Sequence, residues 1–142
     1  MAFLVDTSML LAFAFRRDAN HAAASRTLHA LRRERRIVVA PVLTELFYMT
    51  MVRINYARAV QVFARTRAAF EIQALTEPDM ARMQQIMEQY QDAALDFTDT
   101  AIMALAERLK ITRICTFDRR GFSIFRPLHS EYLELLPLTP HS

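Results

Sequence analysis

The chain predicts an α/β sandwich with a mainly parallel central sheet. Three observations carry this. Short apolar, β-branched runs alternate with longer helical patterns along the sequence. Only one glycine, Gly121, occurs in 142 residues, which leaves no flexible linker and points to one domain over residues 1–142. The apolar content of 53% is enough for a sizeable core and excludes intrinsic disorder.

The elements follow in order. Residues 2–5, Ala-Phe-Leu-Val, read as the first strand. Thr7 and Ser8 offer capping hydroxyls to a helix ending near Phe15. Residues 16–20 form a polar loop, and a helix follows over 21–33 with Arg32, Arg33, Arg35 and Arg36 crowded at its end. Residues 37–40 form the second strand by their β-branched content. Pro41 suits the first turn of a helix running to Arg53. Asn55 caps another over 56–70, and residues 72–75 make an edge strand. Thr76-Glu-Pro-Asp79 starts a helix to Tyr90, and Thr98 begins one over 99–110. Residues 114–117 form a strand, followed by a turn over 118–121. Residues 122–125 and 132–136 carry no decisive pattern.

Four acids stand out because each sits at the end or edge of an apolar segment, where an uncompensated charge is costly. Asp6 and Asp118 follow directly on predicted strands, at the carboxyl rim where parallel sheets bind ligands. At 100° per residue, Glu45 borders the apolar arc of Val42, Leu43, Leu46, Phe47 and Met49. Asp99 borders Ile102 and Ala106 in the first turn of its helix, where the macrodipole favours an anion. Taken singly, each has an ordinary structural reading as a cap, a turn or a solvated helix edge. Taken together, they form an oxygen-rich site for a divalent cation if the fold gathers them.

Other chemistries are excluded or disfavoured. One glycine cannot build a P-loop or a dinucleotide-binding loop. His21, His29, His129 and His141 show no metal-ligand spacing, and most are expected to be exposed. Cys115 lies in an apolar strand as a core residue, and a lone cysteine fits a reducing, cytoplasmic setting. The N-terminus has no basic region, Asp6 interrupts its apolar start, and residues 9–15 are too short to span a bilayer, so neither a leader nor a membrane anchor is expected. Seventeen of the eighteen basic residues are arginine, which suits phosphate and base recognition, although the net charge is only +3. Arg16, Arg17, Arg119 and Arg120 lie nearest the predicted rim and are candidates for RNA contact. A phosphatase of the haloacid dehalogenase type needs an acid two residues after the first, where this chain has Ser8. An aspartate-bearing receiver or a non-hydrolytic RNA-binding module is a further reading of these residues.

The chain resembles PIN-domain ribonucleases over nearly its full length, and most of all the VapC-like toxins of type II toxin–antitoxin pairs. The resemblance rests on Phe3-Leu-Val-Asp-Thr-Ser8 and Val42-Leu-Thr-Glu-Leu46. It rests further on the segment from Asp96 to Leu109 and on Thr116-Phe-Asp-Arg-Arg-Gly-Phe122. It implies a PIN-like α/β/α sandwich in which Asp6, Glu45, Asp99 and Asp118 take the four acidic positions. It implies hydroxyls beside the site from Thr7, Ser8 and Thr116, with Asp96 as a further acid behind Asp99. Gly121 stands where relatives often carry a polar or acidic residue. The activity implied is Mg²⁺- or Mn²⁺-dependent RNA cleavage, with Asp6 and Asp99 as the main metal ligands. A cognate antitoxin and a homodimer are implied as partners. The apolar residues of 41–70, among them Phe47, Tyr48, Met49, Met51, Tyr56, Val60, Val62 and Phe63, exceed what one small core needs. A solitary PIN nuclease in RNA processing is the nearest alternative.

Overall fold

The computed structural model describes residues 1–138, so His141 lies outside the described residues. A five-stranded, all-parallel sheet of order β3-β2-β1-β4-β5 is flanked by helices, as the alternating pattern predicts. The strands are β1 Ala2–Val5, β2 Arg35–Val39, β3 Glu71–Gln73, β4 Arg113–Cys115 and β5 Glu134–Leu136. The helices are α1 Thr7–Ala14, α2 His21–Ala30, α3 Ala40–Arg53, α4 Tyr56–Ala69, α5 Glu77–Gln89, α6 Phe97–Leu109 and α7 Arg120–Ile124. None is long and apolar enough to cross a membrane.

The central strands are the most apolar, because both of their faces are covered. Phe3, Leu4 and Val5 of β1, Ile37, Val38 and Val39 of β2, and Ile114 and Cys115 of β4 are fully buried. Leu4 pairs with Ile37 on one side and Ile114 on the other, so β1 is the axis of the core. The chain leaves β1 toward β2 and later returns to β4 on its opposite side. That reversal opens a crevice beyond the carboxyl ends of β1 and β4, the place where open parallel sheets bind ligands.

Several boundaries differ from the sequence pattern, each for a visible reason. Helix α1 is capped by Asp6, whose carboxylate accepts from the Thr7 amide, and not by the hydroxyls of Thr7 or Ser8. Strand β2 begins at Arg35 because Arg35 and Arg36 pair with Ala2 and Phe3. Those two arginines therefore belong to the sheet: Arg35 pairs with Glu71, and Arg36 lies over the Phe70 ring. Helix α6 starts at Phe97, because Asp96 caps it by accepting from the Asp99 amide at 2.8 Å. Strand β4 ends at Cys115, so Asp118 stands three residues past the strand. The turn after it winds into α7, and the undecided 132–136 segment supplies β5. The caps at Asn55 and Thr76 match their reading, the latter as a reciprocal capping box with Asp79.

His29 is exposed as expected, whereas His21 and His129 are partly buried. His21 Nδ1 donates to the Ala12 carbonyl at 2.9 Å, and His129 Nε2 donates to the Ile111 carbonyl at 2.7 Å. Cys115 is in the core as read, and burial pushes its thiol up to about 12, which removes it as a nucleophile.

Candidate active site

Asp6, Glu45, Asp99 and Asp118 all line one cleft of about 290 Å³ beyond the ends of β1 and β4. Asp96, read as a further acid, lines it too. Among the described residues, the carboxylates border the cleft without any three acidic, histidine or cysteine side chains closing on a single point.

Asp6 is the buried anchor of the group. Oδ1 accepts from the Thr7 amide at 2.7 Å, and Oδ2 accepts from the Thr116 hydroxyl at 2.8 Å. Its own amide donates to the Cys115 carbonyl, which ties β1 to β4 at the crevice. Ser8 and Thr116 bridge the two strand ends. Their hydroxyls lie 3.2 Å apart, Ser8 accepts from the Phe117 amide, and Thr116 accepts from the Asp118 amide. Thr7 also lines the cleft, and its Oγ1 is buried without a hydrogen-bond partner. The hydroxyls anticipated beside the site thus have distinct tasks: two of them fix Asp6 and the Asp118 loop, and the third is a free oxygen.

The remaining acids arrive from helices. Glu45, half-buried on α3, accepts from the Thr98 hydroxyl of α6 at 3.2 Å, which joins the two helices at the cleft wall. Asp99 sits in the first turn of α6, while Asp118 is exposed at the rim. Gly121 permits the packing beside Asp99. A Cβ there would come within 3.0 Å of Leu95 Cδ2 and 3.5 Å of Asp99 Oδ2.

The electrostatics follow from burial and like charge. Burial raises the Asp6 carboxyl most. The Thr116 hydroxyl and Thr7 amide oppose it, and the charges of Glu45 and Asp118 add to it, leaving the group at about 6. Burial and then the charges of Asp6, Asp96, Asp118 and Glu45 drive Asp99 up to about 8. Near neutral pH, Asp99 therefore holds a proton unless a cation displaces it. An all-oxygen donor set, strained by its own repulsion and joined by an unpartnered hydroxyl, fits a hard divalent ion.

The arginines divide. Arg119 donates to the Pro137 carbonyl and Arg120 to the Ala93 carbonyl, so both are held by the protein's own backbone. Arg16 and Arg17 are exposed on an adjoining groove of about 910 Å³ between α1 and α4. The sequence pattern passed over Arg53 and Asp18, which line both cleft and groove. A signal for Arg53 was present: Glu45, Met49 and Arg53 are spaced by four on α3 and share its cleft-facing side.

Comparison with known proteins identifies the family and the fold. The PIN domain model matches residues 3–126. Ribonuclease VapC26 of Mycobacterium tuberculosis is 29% identical over 136 residues, covering 94% of this chain and 99% of that protein. Among solved structures, the Sarcin-Ricin loop cleaving toxin VapC20 of the same species superposes with a TM-score of 0.77 at 20% identity, over 90% of this chain and 98% of its own. VapBC2 from Rickettsia felis, bound to a DNA fragment from its promoter, gives 0.73 at 14% identity, over 95% and 97%. Those two likenesses establish the fold, and the family model covers most of the sequence: the chain belongs to the PIN domain family.

Proposed function

We propose that this protein is a divalent-metal-dependent ribonuclease that hydrolyses RNA phosphodiester bonds, acting in the cytoplasm as the toxin of a toxin–antitoxin pair. The observation that carries the reading is the single cleft lined by carboxylates from the end of β1, the loop after β4 and the helices α3 and α6, none of them ion-paired. The name of the Mycobacterium relative, a ribonuclease, supports it.

Asp6 and Asp99 are the residues assigned to hold Mg²⁺, with Mn²⁺ as a substitute. The chemistry such an ion supplies is an activated water and neutralisation of charge developing on the phosphate. Asp6 is held in place at the cleft by the Thr7 amide and Thr116 hydroxyl. Asp99, raised by burial and neighbouring carboxylates, would have to ionise to hold such an ion. Glu45, steadied by Thr98, and Asp118, on the loop pinned by Thr116, would complete the site directly or through waters of the ion. Arg16 and Arg17 are placed to meet RNA phosphates beyond the cleft, whereas Arg119 and Arg120 serve the backbone.

The partners follow from the surface. Solved VapBC complexes of Rickettsia felis and Salmonella typhimurium are among the structural neighbours. The groove between α1 and α4 has an apolar floor that includes Leu10, Phe15 and Val62, and an arginine rim, which suits an acidic, amphipathic antitoxin segment. Of the apolar residues on α3 and α4, Val62 faces inward, while Tyr48, Tyr56, Val60 and Phe63 stay exposed. That outward surface supports a homodimer.

The test is RNA cleavage by the purified protein with Mg²⁺ or Mn²⁺. Cleavage should stop with chelator and with Asp6→Asn or Asp99→Asn. Activity surviving both treatments would refute the reading.

A further inference from the structure

The cleft is lined by six acidic side chains and, among the described residues, by a single cation, Arg53. This is an awkward place to bring a phosphodiester. Every carboxylate repels it, and only a bound metal or Arg53 attracts it. Arg53 lies in the last turn of α3, two turns beyond Glu45 on the same side of the helix, and it is exposed.

Arg53 is also free in a way that its neighbours are not. Arg58 is held by Gln61 at 2.7 Å and lies over the Phe15 ring. Arg119 and Arg120 are spent on the carbonyls of Pro137 and Ala93. Among the described residues, Arg53 makes no ion pair and no side-chain hydrogen bond, although Asp18 and Glu45 line the same cleft. A guanidinium beside carboxylates that does not pair with them keeps its fork of donors for another oxyanion.

Resting on the ribonuclease reading, we propose that Arg53 grips the non-bridging oxygens of the phosphodiester to be cut. It holds the phosphate from the α3 side of the cleft that Asp6 and Asp118 also line. The role is substrate contact and charge stabilisation, with no part in holding the metal.

The experiment compares Arg53→Ala, Arg53→Lys and Asp99→Asn in the full chain. Binding is read by fluorescence anisotropy with a labelled single-stranded RNA pool of random sequence, in an Asp99→Asn background, across a salt series. Arg53→Ala should lower the slope of log Kd against log salt by roughly 0.7, the value for one phosphate contact on a single strand. Arg53→Lys should keep the slope, since the charge remains. Cleavage of total transfer and ribosomal RNA, with Asp99 intact, should fall about 10²-fold in kcat/KM for Arg53→Ala, as for loss of one donor to a charged transition state. Arg53→Lys should recover only part of it, because an ammonium lacks the bidentate fork. An unchanged slope with unchanged cleavage would overturn the proposal. So would cleavage by Arg53→Ala that returns to the wild-type rate on raising Mn²⁺, because Arg53 would then act through the carboxylates. The ribonuclease reading fails separately, if Asp99→Asn itself cleaves like the wild type.

Discussion

Helix α6 carries an acid near each end, and the two ends behave in opposite ways. Near its C-terminus, Glu107 accepts from Arg82 at 2.6 and 3.0 Å and from the Leu128 amide at 2.9 Å. Beside it, Asp79 of α5 accepts from Arg108 at 2.9 Å. Burial pushes both carboxyls up, but the guanidinium partners and backbone amides outweigh it and leave both below the usual carboxylate range. At the other end, Asp99 is half-buried beside further acids with no arginine bonded to it, and it rises to about 8. All three are carboxylates removed from bulk water, so the supply of counter-charge makes the difference. One end is a structural clamp between α5 and α6. The other is a repulsive cluster that costs stability until something cationic fills it, as expected of a functional site.

The largest effect that would break this comparison is at Asp99. Asp99→Asn should lower metal-dependent RNA cleavage by roughly 10³-fold, in line with loss of a group that acts on transition-state charge. In metal-free buffer near neutral pH it should raise the urea midpoint, because the folded state no longer has to keep a proton that the unfolded chain releases. Lost activity together with lost stability would mean that Asp99 is structural. At the clamp the opposite split is expected. Arg82→Met leaves Glu107 without its cation and should cost about 3 kcal/mol in urea unfolding. Cleavage per folded molecule should be unchanged.

The pH dependence sharpens the contrast, and its sign differs between the ends. Asp6 and Asp99 have raised values in the folded state, so they favour folding below the ordinary carboxylate value. That contribution is lost as pH rises through about 6 and about 8. Asp79 and Glu107 have lowered values, so their contribution is present above the ordinary value and lost as pH falls through the folded one. Metal-free protein should therefore have a higher urea midpoint near about pH 5 than near about pH 9. Asp99→Asn should flatten that slope, and excess Mn²⁺ should reverse it. The smallest change concerns the hydroxyl bridge. Thr116→Val removes a donor from Asp6 and an acceptor from the Asp118 amide. It should reduce cleavage about 10-fold, the lower end for groups that orient metal ligands, and move the acidic limb of the pH–rate profile upward.

Much of this was legible in the sequence, for local reasons. Asp6 ends an apolar strand, and alternating strands and helices put that end at the sheet's carboxyl rim. Glu45 and Asp99 betrayed themselves by bordering apolar arcs, which the structure reproduces as half-buried positions facing one cleft. What was not legible depends on partners far away in the chain. Arg119 and Arg120 sit beside Asp118 in sequence, yet the Pro137 and Ala93 carbonyls hold them. Arg53 looked like an ordinary cation at a helix end, and only the approach of α1 and the 15–20 loop turns it into a cleft residue. The cap at Asp96 was missed because a stretch of Asp-Phe-Thr-Asp allows two starting points, and the Asp99 amide chooses the earlier one.

The most direct test is a calorimetric titration of the metal-free protein with Mn²⁺ near neutral pH, repeated in two buffers of different ionisation enthalpy. Binding should release protons, because Asp99 must ionise to take the cation, and Asp99→Asn should abolish both the release and most of the affinity. Absence of binding, or binding with a proton count that Asp99→Asn leaves unchanged, would contradict the assignment of this cleft as the metal centre.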